Sequence, residues 1–286
     1  MNQSPTEVIT AVPTGFAAHG EVDAVASRAI FEHVARSGNE GAFVLGTTGE
    51  FPALSLEERG QLTKLSLEVL SPHMRVIVHV GAPSLFETLQ LIEQAREAGA
   101  QEIAVITPYY LPVTDEALED FFRAVDQASK GLQVYIYVYA KRANNFVTPQ
   151  LMGTLSQLSN IAGAKVSEEP LSLLSEYREV VPEDFVLYTG ADRDVISIAD
   201  HGAQGVISGV SSVLPKPFRA AVAGEGDREQ RQADVDLAVE AIAGDMGRMH
   251  YAFELLGVPS GTCRMAIAAP GTQTRAQIQD AVRRLS

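Results

Sequence analysis

Eight short runs of β-branched and apolar residues recur along the chain, each spaced to leave room for a helix, and no other feature narrows the fold so far. The runs are Val8 to Val12, Ala42 to Leu45, Arg75 to Val80, Glu102 to Ile106, Val134 to Tyr139, Ile161 to Val166, Phe185 to Tyr188 and Gly205 to Val210. Between them apolar residues return at helical intervals, as in Leu62, Leu65 and Val69, or Leu89, Ile92 and Ala95. The runs are nearly continuously hydrophobic, which suits parallel strands covered on both faces. Strand then helix, eight times, predicts an α/β fold of the (β/α)8 TIM-barrel type, and the 286 residues exceed the roughly 250 such a barrel uses. A doubly wound sheet shares the alternation and is the competing fold. Helix starts are marked by the capping box Ser55-Leu56-Glu57-Glu58, by Thr114 to Leu118, and by Pro170 at a first helical position.

From Lys216 to Gly257 the chain reads as helix with one break at Gly224-Glu225-Gly226-Asp227, and Thr274 to Leu285 reads as another helix. That exceeds what the eighth unit needs. The expected division is a barrel over residues 1–227 and a C-terminal helical extension, 228–286, packed on it. Acidic residues outnumber basic ones, 36 to 22, for a formal net charge of -14. Such a chain repels polyanions and lacks the clustered Lys and Arg that phosphate backbones demand, so nucleic acid and anionic membranes are not expected partners. Met1 to Gly15 has no basic stretch leading into an apolar run, and no run approaches the roughly 20 residues of a membrane span, so the expected location is cytoplasmic. A single cysteine, Cys263, excludes an internal disulfide and any Cys-rich metal site. With no His-x-x-x-His pair, nucleophile elbow or dinucleotide fingerprint, neither a metal nor a bound cofactor is expected.

In a barrel of this kind the chemistry lies where strands give way to loops at their C-terminal ends. Lys165 stands out there, because it ends an apolar run while the other four lysines lie in amphipathic or loop sequence. Desolvation favours the neutral amine, the form that attacks a carbonyl to make a Schiff base. The competing reading is a lysine that snorkels or pairs with Glu168 or Glu169. Gly46-Thr47-Thr48-Gly49-Glu50 brings hydroxyls and amides together in a tight turn suited to a small carboxylate, or to bonding its own backbone. In Val134 to Tyr139 a period of two puts three tyrosines on one face, where the phenols nearest the rim can relay protons and Tyr135 fills the interior. Tyr109 and Tyr110 end the fourth strand, and Arg142 offers a fork for a substrate carboxylate. Asp192 and Asp194 after the seventh strand could bind a cation or sugar hydroxyls, but their spacing matches no calcium loop and the favoured reading is a solvated loop.

Gly46-Thr47-Thr48-Gly49-Glu50, Thr107-Pro108-Tyr109-Tyr110, Tyr137 with Arg142, Gly163-Ala164-Lys165 and Gly205-Val206-Ile207-Ser208 together resemble the dihydrodipicolinate synthase and N-acetylneuraminate lyase family. The resemblance runs over roughly residues 6 to 222, and more loosely at Leu256 to Pro259. It implies a (β/α)8 barrel, usually a homotetramer built from dimers, that forms a lysine imine with pyruvate or another small 2-oxo acid and needs no separate cofactor. By that resemblance Lys165 is the Schiff-base lysine and Tyr137 the proton shuttle. Thr47 links Tyr137 to Tyr110 of a neighbouring subunit. Thr48, with Gly46 and the surrounding backbone, holds the pyruvate carboxylate, Gly190 and Ile207 line its pocket, and Arg142 meets the aldehyde co-substrate. The implied activity is a pyruvate-dependent lyase or synthase of the 4-hydroxy-tetrahydrodipicolinate synthase type. Alternatives are a 2-keto-3-deoxy sugar-acid aldolase, an N-acetylneuraminate lyase-like enzyme or, in another class, a non-catalytic 2-oxo-acid-binding regulator. Four positions depart from the synthase pattern: Val138 and Ala140, where Tyr137-Val138-Tyr139-Ala140 stands for Tyr-Asn-x-Pro, Asn144 for a glycine, and Val166 for an acid. Phe51, Leu56, Arg59 and Pro83 at the feedback-site positions, with only Glu87 fitting an amino acid, predict no inhibition by lysine.

Overall fold

A computed structural model describes residues 6–224 and 226–286. Eight parallel strands close into one barrel in chain order: β1 Glu7–Ala11, β2 Gly41–Val44, β3 Arg75–His79, β4 Glu102–Ile106, β5 Gln133–Val138, β6 Ile161–Val166, β7 Val186–Thr189 and β8 Gly205–Ser208. Closure of β1 on β8 disposes of the doubly wound alternative. Around the barrel lie α1 Ala24–Ala35, α2 Leu56–Leu70, α3 Leu85–Glu97, α4 Asp115–Ala128, the short α5 Ala140–Ala143, α6 Pro149–Leu155, α7 Leu171–Val180 and α8 Pro215–Ala223. Then come α9 Arg228–Ile242, α10 Met246–Leu255 and α11 Thr272–Leu285. The expected caps are in place at two starts: Ser55 and Glu58 bond reciprocally ahead of α2, and Thr114 accepts from Ala117 N ahead of α4. Pro170 sits one residue earlier than expected, as the N-cap of α7.

Two expectations need correction. The seventh unit has no α-helix; residues 190–204 form two 3-10 turns, Asp192–Asp194 and Ile198–His201, and α9 lies against the first. Gln232 Nε2 donates to Arg193 O at 2.8 Å, and Arg193 meets Asp236 at 3.4 Å. The C-terminal helical run also has a second break. Ala243 (φ 52°) and Gly244 (φ 64°) turn left-handed, and Asp245 then caps α10 by accepting from Arg248 N at 2.9 Å. A left-handed alanine is strained by about 1–2 kcal/mol, so nothing in its residue type announces the turn.

Alternate strand residues feed two apolar layers. Val134, Ile136 and Val138 pack outward with the helices, and Val235, Phe253 and Ile278 of the C-terminal helices join the same layer. Tyr135, Tyr137 and Tyr139 turn inward with Phe43, Ile77, Tyr188 and Ile207. On β6 this phase depends on one residue. Val134 pairs with Ile161, but Tyr135 pairs with Gly163, so Ala162 is an extra residue in the strand. Ile161 faces outward; a regular strand would send Lys165, four residues on, outward too. The bulge inverts the alternation and turns Lys165 inward, beside Tyr137 on β5 and Tyr188 on β7. Gly163 is needed at the inversion, since a Cβ there would lie 2.3 Å from Val186 O and 2.9 Å from the Tyr135 ring.

The N-terminal end of the barrel is filled by a closed polar network. Arg75 donates to both oxygens of Glu102 (3.0 and 2.7 Å) and to Glu7 (3.1 Å). Tyr135 donates to Glu102 at 3.1 Å and Tyr188 to Glu7 at 2.5 Å.

Candidate active site

At the opposite end the strands open into a cavity of about 600 Å³. Lys165 lies at its floor, 5% exposed, with Nζ 4.2 Å from the centre of the Phe43 ring and 4.4 Å from that of Tyr137. Neither acid of the competing reading takes it: Glu168 is engaged by Tyr139 and Lys141, and Glu169 joins no ion pair among the described residues. Desolvation brings its pKa down to about 7, against a smaller upward pull from Asp192. A lysine that loses its proton near neutrality is a nucleophile without the help of an added base.

Tyr137 is fully enclosed, and its hydroxyl shares a 3.1 Å hydrogen bond with Thr47 Oγ1. Burial raises its pKa, while the Thr47 and Ser167 hydroxyls favour the phenolate less strongly. The phenol therefore stands protonated beside the amine. The turn after β2 supplies the third element. Gly46 O accepts from Gly49 N (3.0 Å) and Phe51 N (3.3 Å), whereas the amides of Thr47 and Thr48 take no acceptor among the described residues. Both threonines line the cavity, and the Thr48 hydroxyl is likewise without a partner there. Free amides and a hydroxyl in one tight turn suit a carboxylate. Gly46 lines nothing; a Cβ there would lie 2.5 Å from Phe43, so its part is to let the turn pass over that ring.

Gly190 and Ile207 line the cavity as expected, and a Cβ on Gly190 would press on Ser167 Oγ at 2.8 Å. Arg142 stands at the rim, its Nε donating to Tyr139 Oη at 3.3 Å. Asn144 is left-handed (φ 61°) where α5 ends, which explains how it can occupy a glycine position. Tyr109 lines the cavity against Phe51, but Tyr110 does not: its left-handed φ of 85° throws the side chain outward, 84% exposed. Asn145 clamps this loop through Pro108 O, Leu111 O and Val113 N.

Three contributors were not anticipated. Asp192 belongs to the cavity wall rather than to a solvated loop, and Asp194 alone is exposed. Its Oδ1 is buried without a partner, and desolvation pushes its pKa up to about 7, against the Ser208 hydroxyl and Lys165. His79 is buried behind Tyr137. Its Nδ1 donates to Leu45 O (3.0 Å) and its Nε2 accepts from Ile106 N (3.4 Å), so it wedges the left-handed Leu45 in place as a neutral ring. No local motif marks a histidine inside a strand for that task. Third, the Ala243–Met246 turn, with Met265 and Ile267, covers the mouth. This cover is pinned by Arg264, which grips Glu58 at 2.6 and 2.7 Å. Arg59 is buried and donates to Gly81 O (2.8 Å) and His79 O (2.7 Å).

Comparison with known proteins agrees with this geometry. The family model described as "Dihydrodipicolinate synthetase family" matches residues 4–285. The 4-hydroxy-tetrahydrodipicolinate synthase of Agrobacterium fabrum is 35% identical over 218 residues, 75% of this chain and 74% of that protein. That of Alkaliphilus oremlandii is 33% identical over 200 residues, 70% of this chain and 69% of that one. A prophage protein of E. coli K12 from the dihydrodipicolinic acid synthase family, solved with pyruvate, superposes with a TM-score of 0.85 at 27% identity, covering 98% of each chain.

Proposed function

Starting from the chain's membership of the dihydrodipicolinate synthetase family, we propose that Lys165 forms an imine with pyruvate or another small 2-oxo acid, and that the resulting enamine makes or breaks a carbon–carbon bond with an aldehyde. The protein is then a class I aldolase-type enzyme, closest in kind to the 4-hydroxy-tetrahydrodipicolinate synthases. The observation that carries this is the unpaired Lys165 amine, with its pKa near 7, between the Tyr137 phenol and the free Thr47 and Thr48 amides.

The substrate carboxylate sits on the amides and hydroxyl of the Thr48 turn, which places the ketone carbon over Nζ. The neutral amine adds to that carbon, one amine proton passes to the oxygen and Tyr137 gives a second, and the oxygen departs as water to leave the protonated imine beside the Tyr137 phenolate. Loss of a proton from the adjacent methyl carbon yields the enamine, with Tyr137 the nearest group to carry protons away. Attack of the enamine on the aldehyde carbon, then hydrolysis of the new imine, restores Lys165; the reverse order cleaves. Thr47 connects Tyr137 to the surface, where Tyr110 from a second copy completes the relay. Exposed Tyr110, Leu111 and Val113, with Phe86, support assembly through this face into dimers and a homotetramer.

Two features bear on the second substrate. Arg142 at the rim favours an aldehyde that carries a carboxylate. Asp192 on the cavity wall favours hydroxyls, which supports the sugar-acid aldolase as the second reading. Borohydride reduction with pyruvate, followed by intact mass and peptide mapping, tests the shared step. One adduct on Lys165 is expected; its absence from folded protein would overturn the proposal and favour a binding role.

A further inference from the structure

A second cavity, of about 640 Å³, lies beneath the C-terminal cover and shares only Ile267 with the mouth. His250 from α10 and Cys263 from the segment that follows line this cavity, and Glu50, from the end of the Thr47–Thr48 turn, meets them from behind the wall. One ligand atom from each lies within 4.8 Å of the other two. His250 is only 7% exposed, and neither of its ring nitrogens has a partner at hydrogen-bond geometry among the described residues. Folded proteins seldom leave a buried polar group in that state. Glu50 Oε2 accepts from the amides of Arg264 (3.0 Å) and Met265 (2.6 Å), which orients the carboxylate.

We propose that Glu50, His250 and Cys263 bind one divalent transition-metal ion of the Zn²⁺ class, with solvent from the cavity as the fourth ligand. Thiolate, imidazole and carboxylate form a donor set that such ions favour. Bonds of about 2.0–2.3 Å in a tetrahedron set the ligand atoms about 3.5 Å apart, so the cluster closes by roughly 1 Å through side-chain rotation. The thiol proton passes to solvent on binding, and the two anionic ligands then balance the ion. Burial holds the His250 imidazole down to a pKa of about 4, leaving it neutral for coordination. The two amides on Glu50 Oε2 serve as the outer shell that fixes a ligating carboxylate. An ion here joins α10, the C-terminal cover and the turn that carries Thr47 and Thr48. This site stands apart from Lys165 and does not depend on the imine chemistry.

The test uses untagged full-length protein stripped with a chelator and titrated with Co²⁺ and with Zn²⁺. One ion per chain, a cobalt–thiolate charge-transfer band and a higher melting temperature are expected. Cys263→Ser, which keeps the shape of the residue, should abolish the band. Both it and His250→Gln should weaken Zn²⁺ binding by more than the roughly 10–100-fold that follows loss of an outer-shell partner. Failure to bind either ion saturably, binding without the thiolate band, or binding undiminished in both variants would each overturn the proposal.

Discussion

Tyr135 and Tyr137 stand two residues apart on β5, face the same interior, and meet opposite circumstances. Tyr135 belongs to the N-terminal end, where Arg75 is matched by Glu7 and Glu102 and each phenol donates to a carboxylate. Tyr137 belongs to the C-terminal end, where the Lys165 amine has no anion bonded to it among the described residues and Asp192, on the cavity wall, keeps a buried oxygen without a partner there. Burial raises both phenols, so burial alone does not distinguish them. What differs is saturation. A network whose donors and acceptors are all used holds the barrel together and has nothing left for a substrate, whereas the mouth keeps the Lys165 amine, the Thr47 and Thr48 amides and the Thr48 hydroxyl free among the described residues.

The comparison breaks most readily at Lys165. Lys165→Ala should cut turnover by at least about 10³-fold and abolish pyruvate trapping, as loss of a covalent nucleophile does. Its melting temperature should not fall, because a desolvated amine without a partner is removed; a cooperative loss of folding would instead make Lys165 structural. Next comes the tyrosine pair. Tyr137→Phe should slow the reaction by about 10²–10⁴-fold, the range for a lost acid–base group, while Tyr135→Phe should leave rates alone and cost about 1 kcal/mol in a denaturant melt. Equal kinetic effects would erase the distinction between the two ends. Arg75→Ala should lower stability by about 2 kcal/mol, less than the roughly 3–5 for a fully buried pair because Arg75 is partly exposed, with turnover per folded molecule unchanged.

The smallest effect concerns pH. Since the Lys165 pKa is lowered to about 7 in the folded chain, the unfolded chain binds more protons from there up to about 10.4. Stability from this group is therefore poorest below about pH 7 and improves as pH rises through that window. The rate of imine trapping should rise with the free amine, with a midpoint near 7. Asp192→Asn removes the charge that raises Lys165 and should move that midpoint to lower pH, as read by cyanoborohydride trapping across a pH series. An upward movement would show that Asp192 does not act on the amine as a negative charge.

Much of the mouth was legible because its residues announce themselves locally. The Gly-Thr-Thr-Gly-Glu turn, the alternating tyrosines and a lysine ending an apolar run are each a few residues long, and strand spacing places each at a strand's C-terminal end. Asp192 was hidden because two acids after a strand look solvated unless the helix expected there is missing. His79 and the Ala243 turn were hidden because neither residue type favours what it does; packing from distant segments holds them.

From sequence alone came the eightfold strand plan, the phase of β5 and the choice of Thr47, Thr48, Tyr137 and Lys165 as candidates, since periodicity and short motifs are local properties of the chain. Tertiary structure alone decided that the seventh helix is replaced by turns and that a C-terminal cover closes the mouth. It alone also joined Glu50, His250 and Cys263, and turned Lys165 inward through the bulge at Ala162. All four depend on partners far away in the chain, and for Lys165 the physical reason is strand register. A one-residue change in register reverses every side chain beyond it, and which register wins depends on partners far away in the chain.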